Sequence, residues 1–125
     1  MTYRIAIGTR DGITITEHFG QCSRFQILAV SQEDDSVTFL EDRITAHRDS
    51  CGDHQEEVIR EKISTLRDCQ IVLVRQVGVR SEKLLIHSGI VPLQYQGSIN
   101  QALLRIKAFY KKHQFQEYRK SQSEK

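Results

Sequence analysis

Two short stretches of this chain carry the residue types that could do chemistry. Thr16-Glu17-His18-Phe19-Gly20-Gln21-Cys22 sets an imidazole and a thiol four positions apart with a glycine between them. Neither group lies on an apolar periodic face, so packing alone does not account for them. Cys51 and His54 form a second such pair at the mouth of an expected helix. Soft metals and metal–sulfur clusters prefer thiolate and imidazole ligands. The partial positive charge of a helix N-terminus favours thiolate in a nearby cysteine, which is the mechanism open to Cys51. His54 reads better as a solvated residue of the first helical turn than as a partner of Cys51. A loop histidine can also do no more than hydrogen-bond the backbone, and a loop cysteine can be only a small residue. Arg10, Arg24, Arg48, Arg75 and Arg80 fall in or beside loops at the same expected end of the molecule. Charged loops are ordinarily just solvated, but guanidiniums gathered around one mouth favour an anionic ligand.

The elements that must position these groups follow from hydrophobic patterning. Tyr3–Thr9 reads as a strand, Asp11-Gly12 as a turn, and Ile13–Thr16 as a short extended piece. Arg24–Val30 and Val37–Ile44 are strands joined by the polar hairpin Ser31–Ser36. A polar loop, Thr45–Gly52, leads to a helix opened by Asp53 with Glu56 as its capping-box partner. Val58, Ile59, Ile63 and Leu66 form that helix's buried stripe. Gln70–Val74 is a nearly continuous apolar run, as expected of a central strand covered on both faces. A short helix from Ser81 closes at Gly89, Ile90–Leu93 is a last strand, and Ser98 with Gln101 opens a final helix. That helix carries Ile99, Ala102, Leu103, Ile106 and Tyr110 on one stripe. The order β-β-β-α-β-α-β-α predicts an antiparallel meander followed by right-handed crossovers. The fold class is α/β: a five-stranded mixed sheet of order 3-2-1-4-5 with helices on both faces.

This order brings the chemistry to one rim. The His18/Cys22 loop leaves the carboxyl end of the first strand, and the Cys51 loop leaves the third strand at the same end. The exit of the fourth strand, Arg75-Gln76-Val77-Gly78, lies there too. Open α/β sheets bind ligands beside strand carboxyl ends where the winding reverses, here between strands one and four. Phe19 is expected to plug the core. Gly20 is expected to supply a positive φ or a close backbone approach. Cys69 falls at the opposite end of the fourth strand and reads as a buried small hydrophobe.

Composition narrows the class. At 125 residues, with 38% hydrophobic and 27% charged side chains, the chain fits one globular domain over residues 1–112. Three cysteines without CxxC spacing point to reduced thiols. The start of the chain lacks a signal-peptide core and no apolar run is long enough to span a membrane, so a cytoplasmic protein is expected. Net charge is +2, but residues 103–125 hold seven Lys/Arg against two Asp/Glu. Residues 113–125 read as a polar basic tail, a solvated helix end rather than a nucleic-acid arm. No GxGxxG, P-loop, HExxH or GxSxG pattern occurs, and the first strand carries no carboxylate for a two-metal nuclease site.

The pattern Ile5-Ala6-Ile7 … Asp11-Gly12 … Glu17-His18-Phe19-Gly20 … Arg24-Phe25 resembles the dinitrogenase iron–molybdenum cofactor biosynthesis family. That family includes NifX- and NafY-type carriers and the C-terminal domain of NifB. The similarity continues through Cys51-Gly52, Leu66-x-Asp68-Cys69-x-x-Val72-Leu73-Val74, Val77-Gly78, Leu84-Leu85, Gly89-Ile90 and the Ala102-Leu103 helix, spanning roughly residues 3–110. The resemblance implies a three-layer α/β/α ribonuclease H-like fold. It also implies a non-enzymatic role, binding and handing on iron–sulfur cofactor precursors. The family's cofactor-binding histidine maps onto His18, and its cysteine ahead of the helix maps onto Cys51. Cys22 lies where relatives often carry another residue, so no role is inherited there.

The expectation is therefore a carrier or scaffold for an iron–sulfur or iron–molybdenum cofactor precursor, loosely bound. His18 and Cys51 would be ligands, with Cys22 as a third candidate. Arg10, Arg24 and Arg75 would neutralise the cluster, and the backbone at Gly12, Gly20 and Gly78 would approach it. Its partners would be proteins that deliver and receive the cluster, with no membrane and no nucleic acid. Two other classes remain open: a thiol redox or catalytic protein using a low-pKa Cys51, and an interaction module docking through its basic tail.

Overall fold

A computed structural model describes residues 2–45 and 55–113, without side chains for Gln55 and 110–113. Cys51, His54, Arg48, Gly52, the Asp53 cap and residues 114–125 of the expected tail lie outside the described residues. The first three strands are β1 (Thr2–Gly8), β2 (Arg24–Ser31) and β3 (Val37–Ile44). Then come α1 (Gln55–Thr65), β4 (Ile71–Val74), α2 (Val79–His87), β5 (Val91–Gln94) and α3 (Ile99–His113). The sheet order is β3-β2-β1-β4-β5, antiparallel through the meander and parallel from β1 to β5, as the patterning predicts.

Strand alternation sorts the core into two layers. Ile5 and Ile7 of β1 and Ile71 and Leu73 of β4 face α3, whose Ile99, Ala102, Leu103 and Ile106 cover them. Ala6, Val72 and Val74 face the other way, under Ile59 and Ile63 of α1, Leu66 in the turn that follows it and Leu85 of α2. All four residues of β4 are buried, because helices cover both of its faces. β3 is an edge strand with a bulge opposite Ile27/Leu28, and every residue of it except Arg43 is exposed.

Local chemistry sets the ends of the elements. The Ser98 hydroxyl accepts from the Gln101 N–H at 3.1 Å, the expected cap of α3. Gly89 follows α2 at φ +84°, a left-handed conformation that glycine adopts without penalty. α2 begins at Val79, two residues before the expected Ser81, with Gly78 as its N-cap. Arg43 reaches from β3 to the Thr65 carbonyl at 3.0 Å and to Asp68 at 2.6 Å, where Arg4 of β1 also pairs. That cluster fastens the end of α1 to two strands. No described helix is long and apolar enough to cross a membrane.

Candidate functional site

The register places the carboxyl ends of β1, β3 and β4 and the start of β2 along one edge. Gly8 pairs with Phe25, Phe25 with Arg43, and Ile7 with Leu73. Beyond Gly8 the chain turns through residues 9–14. The Gly12 N–H donates to the Thr9 hydroxyl at 2.9 Å and Gly12 sits at φ +77°. Its backbone amide is thus spent on its own turn. The following residues dock on the β5–α3 connection through Thr14 and Ser98 and through the Ile15 N–H to the Gly97 carbonyl, 3.0 Å.

The segment then returns to β4. The Arg75 N–H donates to the Glu17 carbonyl at 2.9 Å, and the Phe19 N–H to the Gln76 carbonyl at 2.9 Å. His18 and Gln76 form a parallel bridge, so the segment continues beside β4 where β1 stops. The Thr16 and Glu17 N–H groups share the Gly8 carbonyl at 3.2 and 3.3 Å. This close return is what Gly8 permits: a Cβ there would stand 3.0 Å from Val74 Cγ1 and 3.1 Å from Glu17 Cβ. Nothing in the sequence patterning singled Gly8 out.

The backbone pairing leaves the His18 side chain exposed at the rim, while Phe19 turns inward and is fully buried. Residues Phe19–Gln21 form one 3-10 turn. Gly20 does not adopt a positive φ, and a Cβ on it would meet nothing within 4 Å, which corrects the expected reason for a glycine there. Gly78, across the bridge, is equally unconstrained: its φ is −72° and a Cβ would again meet open space. As the N-cap of α2 it has no side chain to satisfy the first helical N–H groups. His18, Gly20, Arg75 and Gly78 therefore converge on one open edge.

The remaining expected site residues divide. Arg24 and Arg75 are exposed and make no ion pair among the described residues. Arg10 is exposed and pairs with Glu17 at 3.4 Å. Arg80 stands 4.0 Å from Glu56 of α1. Cys22 lies in the core rather than on the rim, only 1% exposed. Its thiol donates to the Arg24 carbonyl at 3.1 Å, and burial pushes its pKa up to about 11. Cys69 is buried as expected, with its pKa raised to about 12 by the same cause. Among the described residues no three His, Cys, Asp or Glu side chains gather to hold a metal ion.

One residue beneath the rim was absent from the sequence reading. Lys62 of α1 is fully buried, on the helix that also carries Ile59 and Ile63. Its ammonium donates to the Cys22 carbonyl and, at 3.3 Å, to the Thr45 hydroxyl. It stands 5.6 and 5.7 Å from the ring centres of Phe19 and Phe25, near enough for cation–π attraction. Burial lowers its pKa to about 8. The signal was present as a lysine three positions after Ile59 and four before Leu66, on an otherwise apolar stripe.

The protein family described as dinitrogenase iron–molybdenum cofactor matches residues 1–108 of this chain. The chain belongs to that family. A relative is the FeMo cofactor biosynthesis protein NifB of Chlorobaculum tepidum, 31% identical over 99 residues. The aligned part covers 79% of this chain but 22% of the NifB chain, so the shared region is a fraction of that larger protein. Two solved structures share the fold. The protein PH0822 superposes with a TM-score of 0.59 at 18% identity, over 84% of this chain and 90% of its own. A Methanocaldococcus jannaschii protein, provisionally assigned as a dinitrogenase, gives 0.55 at 13% identity, over 86% and 90%. Family membership ties the chain to iron–molybdenum cofactor biosynthesis.

Proposed function

We propose that this family member is a non-enzymatic carrier or scaffold for an iron–sulfur or iron–molybdenum cofactor precursor, with His18 and Cys51 as its protein ligands. The observation that carries the reading is the rim itself. The His18 backbone is held beside the end of β4 with its imidazole exposed, near Gly20 and Gly78, two glycines at which a Cβ would meet none of the described residues. A bulky inorganic guest can approach the backbone closely where no Cβ projects. Arg24 and Arg75 offer guanidinium charge to an anionic cluster, and the uncapped start of α2 adds the positive end of a helix dipole. The donor types, imidazole with thiolate, suit iron and sulfide chemistry.

Few protein ligands would suit a guest that must be received from one protein and passed to another. Such donor and acceptor proteins are the expected partners, in the cytoplasm. The alternative, a thiol redox or catalytic protein, rests on Cys51, since burial raises the Cys22 and Cys69 thiols and disfavours their reactive thiolates.

Anaerobic addition of iron and sulfide tests the proposal. Uptake should give visible charge-transfer absorbance that falls by about tenfold or more in His18→Ala and in Cys51→Ser, since even outer partners of metal ligands are worth that much. Uptake equal to wild type in both variants would refute it.

A further inference from the structure

β4 ends at Val74, yet the chain beyond it is still gripped on both sides. On one side stands the His18 segment, paired through the Arg75 N–H and the Gln76 carbonyl. On the other side β5 runs out. Its last residue, Gln94, pairs with Val74, and the Tyr95 N–H donates to the Val74 carbonyl at 3.0 Å. Past that point a side chain takes over from the strand. The Gln94 side-chain carbonyl accepts from the Val77 N–H at 2.8 Å. That N–H and the Gln76 carbonyl belong to one peptide group, and a trans peptide points the two in opposite directions. The Gln76 carbonyl in turn accepts from the Phe19 N–H at 2.9 Å. A single peptide is therefore held between Gln94 on the β5 side and Phe19 on the β1 side, and each bond polarises the other.

Stability gives little reason for this arrangement. Gln94 is exposed, so water can satisfy the Val77 N–H, and fixing a glutamine side chain costs about as much as one such bond contributes. What the bond fixes is position. Phe19 follows His18 directly, and His18 sits in extended backbone at the head of the 3-10 turn. Val77 precedes Gly78, the N-cap of α2. We infer that Gln94 is a positioning residue for His18: through the Gln76–Val77 peptide it sets where the His18 backbone stands relative to the start of α2. This rests on the reading of His18 as a ligand. Gln94 acts through backbone groups and needs no contact with the guest.

The test uses the full chain and two variants. Gln94→Met keeps the length of the side chain and removes the acceptor; Gln94→Glu restores an acceptor oxygen. In the metal-free protein the Val77 and Phe19 amides should both exchange at least about tenfold faster in Gln94→Met and return to wild-type rates in Gln94→Glu, with β1 and β4 amides unchanged. Faster exchange at Val77 with wild-type exchange at Phe19 would overturn the inference, because Gln94 would then cap one loop amide and do nothing more. Anaerobic iron and sulfide uptake should weaken by about tenfold in Gln94→Met, the usual effect of losing an outer partner of a ligand, and recover in Gln94→Glu. Ser31→Ala removes a hydrogen bond to the Glu33 N–H in the β2–β3 hairpin and should lower the melting temperature without changing uptake. Uptake lost in His18→Ala but unchanged in Gln94→Met leaves the ligand reading standing and removes the positioning role. Wild-type uptake in His18→Ala removes both. Should Gln94→Met not fold, Gln94→Asn, one methylene shorter, decides by the same two readouts.

Discussion

Two groups of arginines, one at the C-terminal end of α1 and one at the rim, are built differently. At its C-terminal end Arg4 and Arg43 share Asp68 at 2.5 and 2.6 Å, and Arg43 also pairs with Glu41. Charge there is matched by charge. At the rim Arg24 and Arg75 face solvent with no acidic partner among the described residues. One group is complete and fastens a helix to the sheet. The other has no such match among the described residues and suits an anion supplied from outside. The same contrast holds for glycines: Gly8 is demanded by a close approach, whereas a Cβ on Gly20 or Gly78 would meet none of the described residues within 4 Å.

The largest stability effect should come from breaking the close return that builds the rim. Gly8→Ala forces Val74 and Glu17 apart and should cost about 1–3 kcal/mol, the usual range for overpacking, measured by urea denaturation. A neutral outcome would mean that the His18 segment is not pressed against β1 and β4 as described.

The complete cluster comes next. Hydrogen bonding from Arg43 holds the Asp68 carboxyl down at about 2, below its ordinary 3.8. A carboxylate held down in the folded state contributes stability that is present above its unfolded value and is lost as pH falls through its folded value. Asp68→Asn should therefore destabilise the protein near neutral pH and lose its effect as pH drops from about 4 to 2. Asp68 is 43% exposed, so solvent screening keeps the effect near 1 kcal/mol or below. An equal loss at all pH values would show that packing, not charge, fastens α1.

The smallest stability effects belong to the rim, which is what sharpens the contrast. Arg24→Gln, Arg75→Gln and Gly20→Ala should each change stability by less than about 0.5 kcal/mol, as exposed substitutions do. Each should nonetheless lower iron and sulfide uptake. Substantial unfolding with unchanged uptake would mean that these residues serve the fold.

Much of this was legible in the sequence. Strand alternation, the SQEDDS hairpin and the capping residues gave the sheet order, and that order brought the His18 loop and the Gln76 loop to one edge. Phe19 and Cys69 are buried as their neighbours suggested. What escaped depends on contacts between distant segments. Lys62 was overlooked because a lysine counts as polar in a hydrophobic pattern, although its long stem packs well beside aromatic rings. Gly8 looks like any strand-ending glycine until Glu17 and Val74 close on it. Gly20 has neither the positive φ nor the close approach expected of it, because sequence marks a glycine without telling whether φ, space or a guest requires it. Cys22 reads as a rim thiol by number alone, yet a single 3-10 turn swings it beneath Gly8, its sulfur 3.5 Å from where a Cβ there would lie.

The proposed carrier role requires that His18 and Cys51 hold one inorganic guest together. Pulsed EPR on protein loaded anaerobically with iron and sulfide, reduced, and labelled with nitrogen-15 only in histidine, reads it most directly. A hyperfine coupling to an imidazole nitrogen is expected, lost in His18→Ala, with the same signal changed in Cys51→Ser. A paramagnetic cluster that binds stoichiometrically with no histidine nitrogen coupled to it would contradict the account.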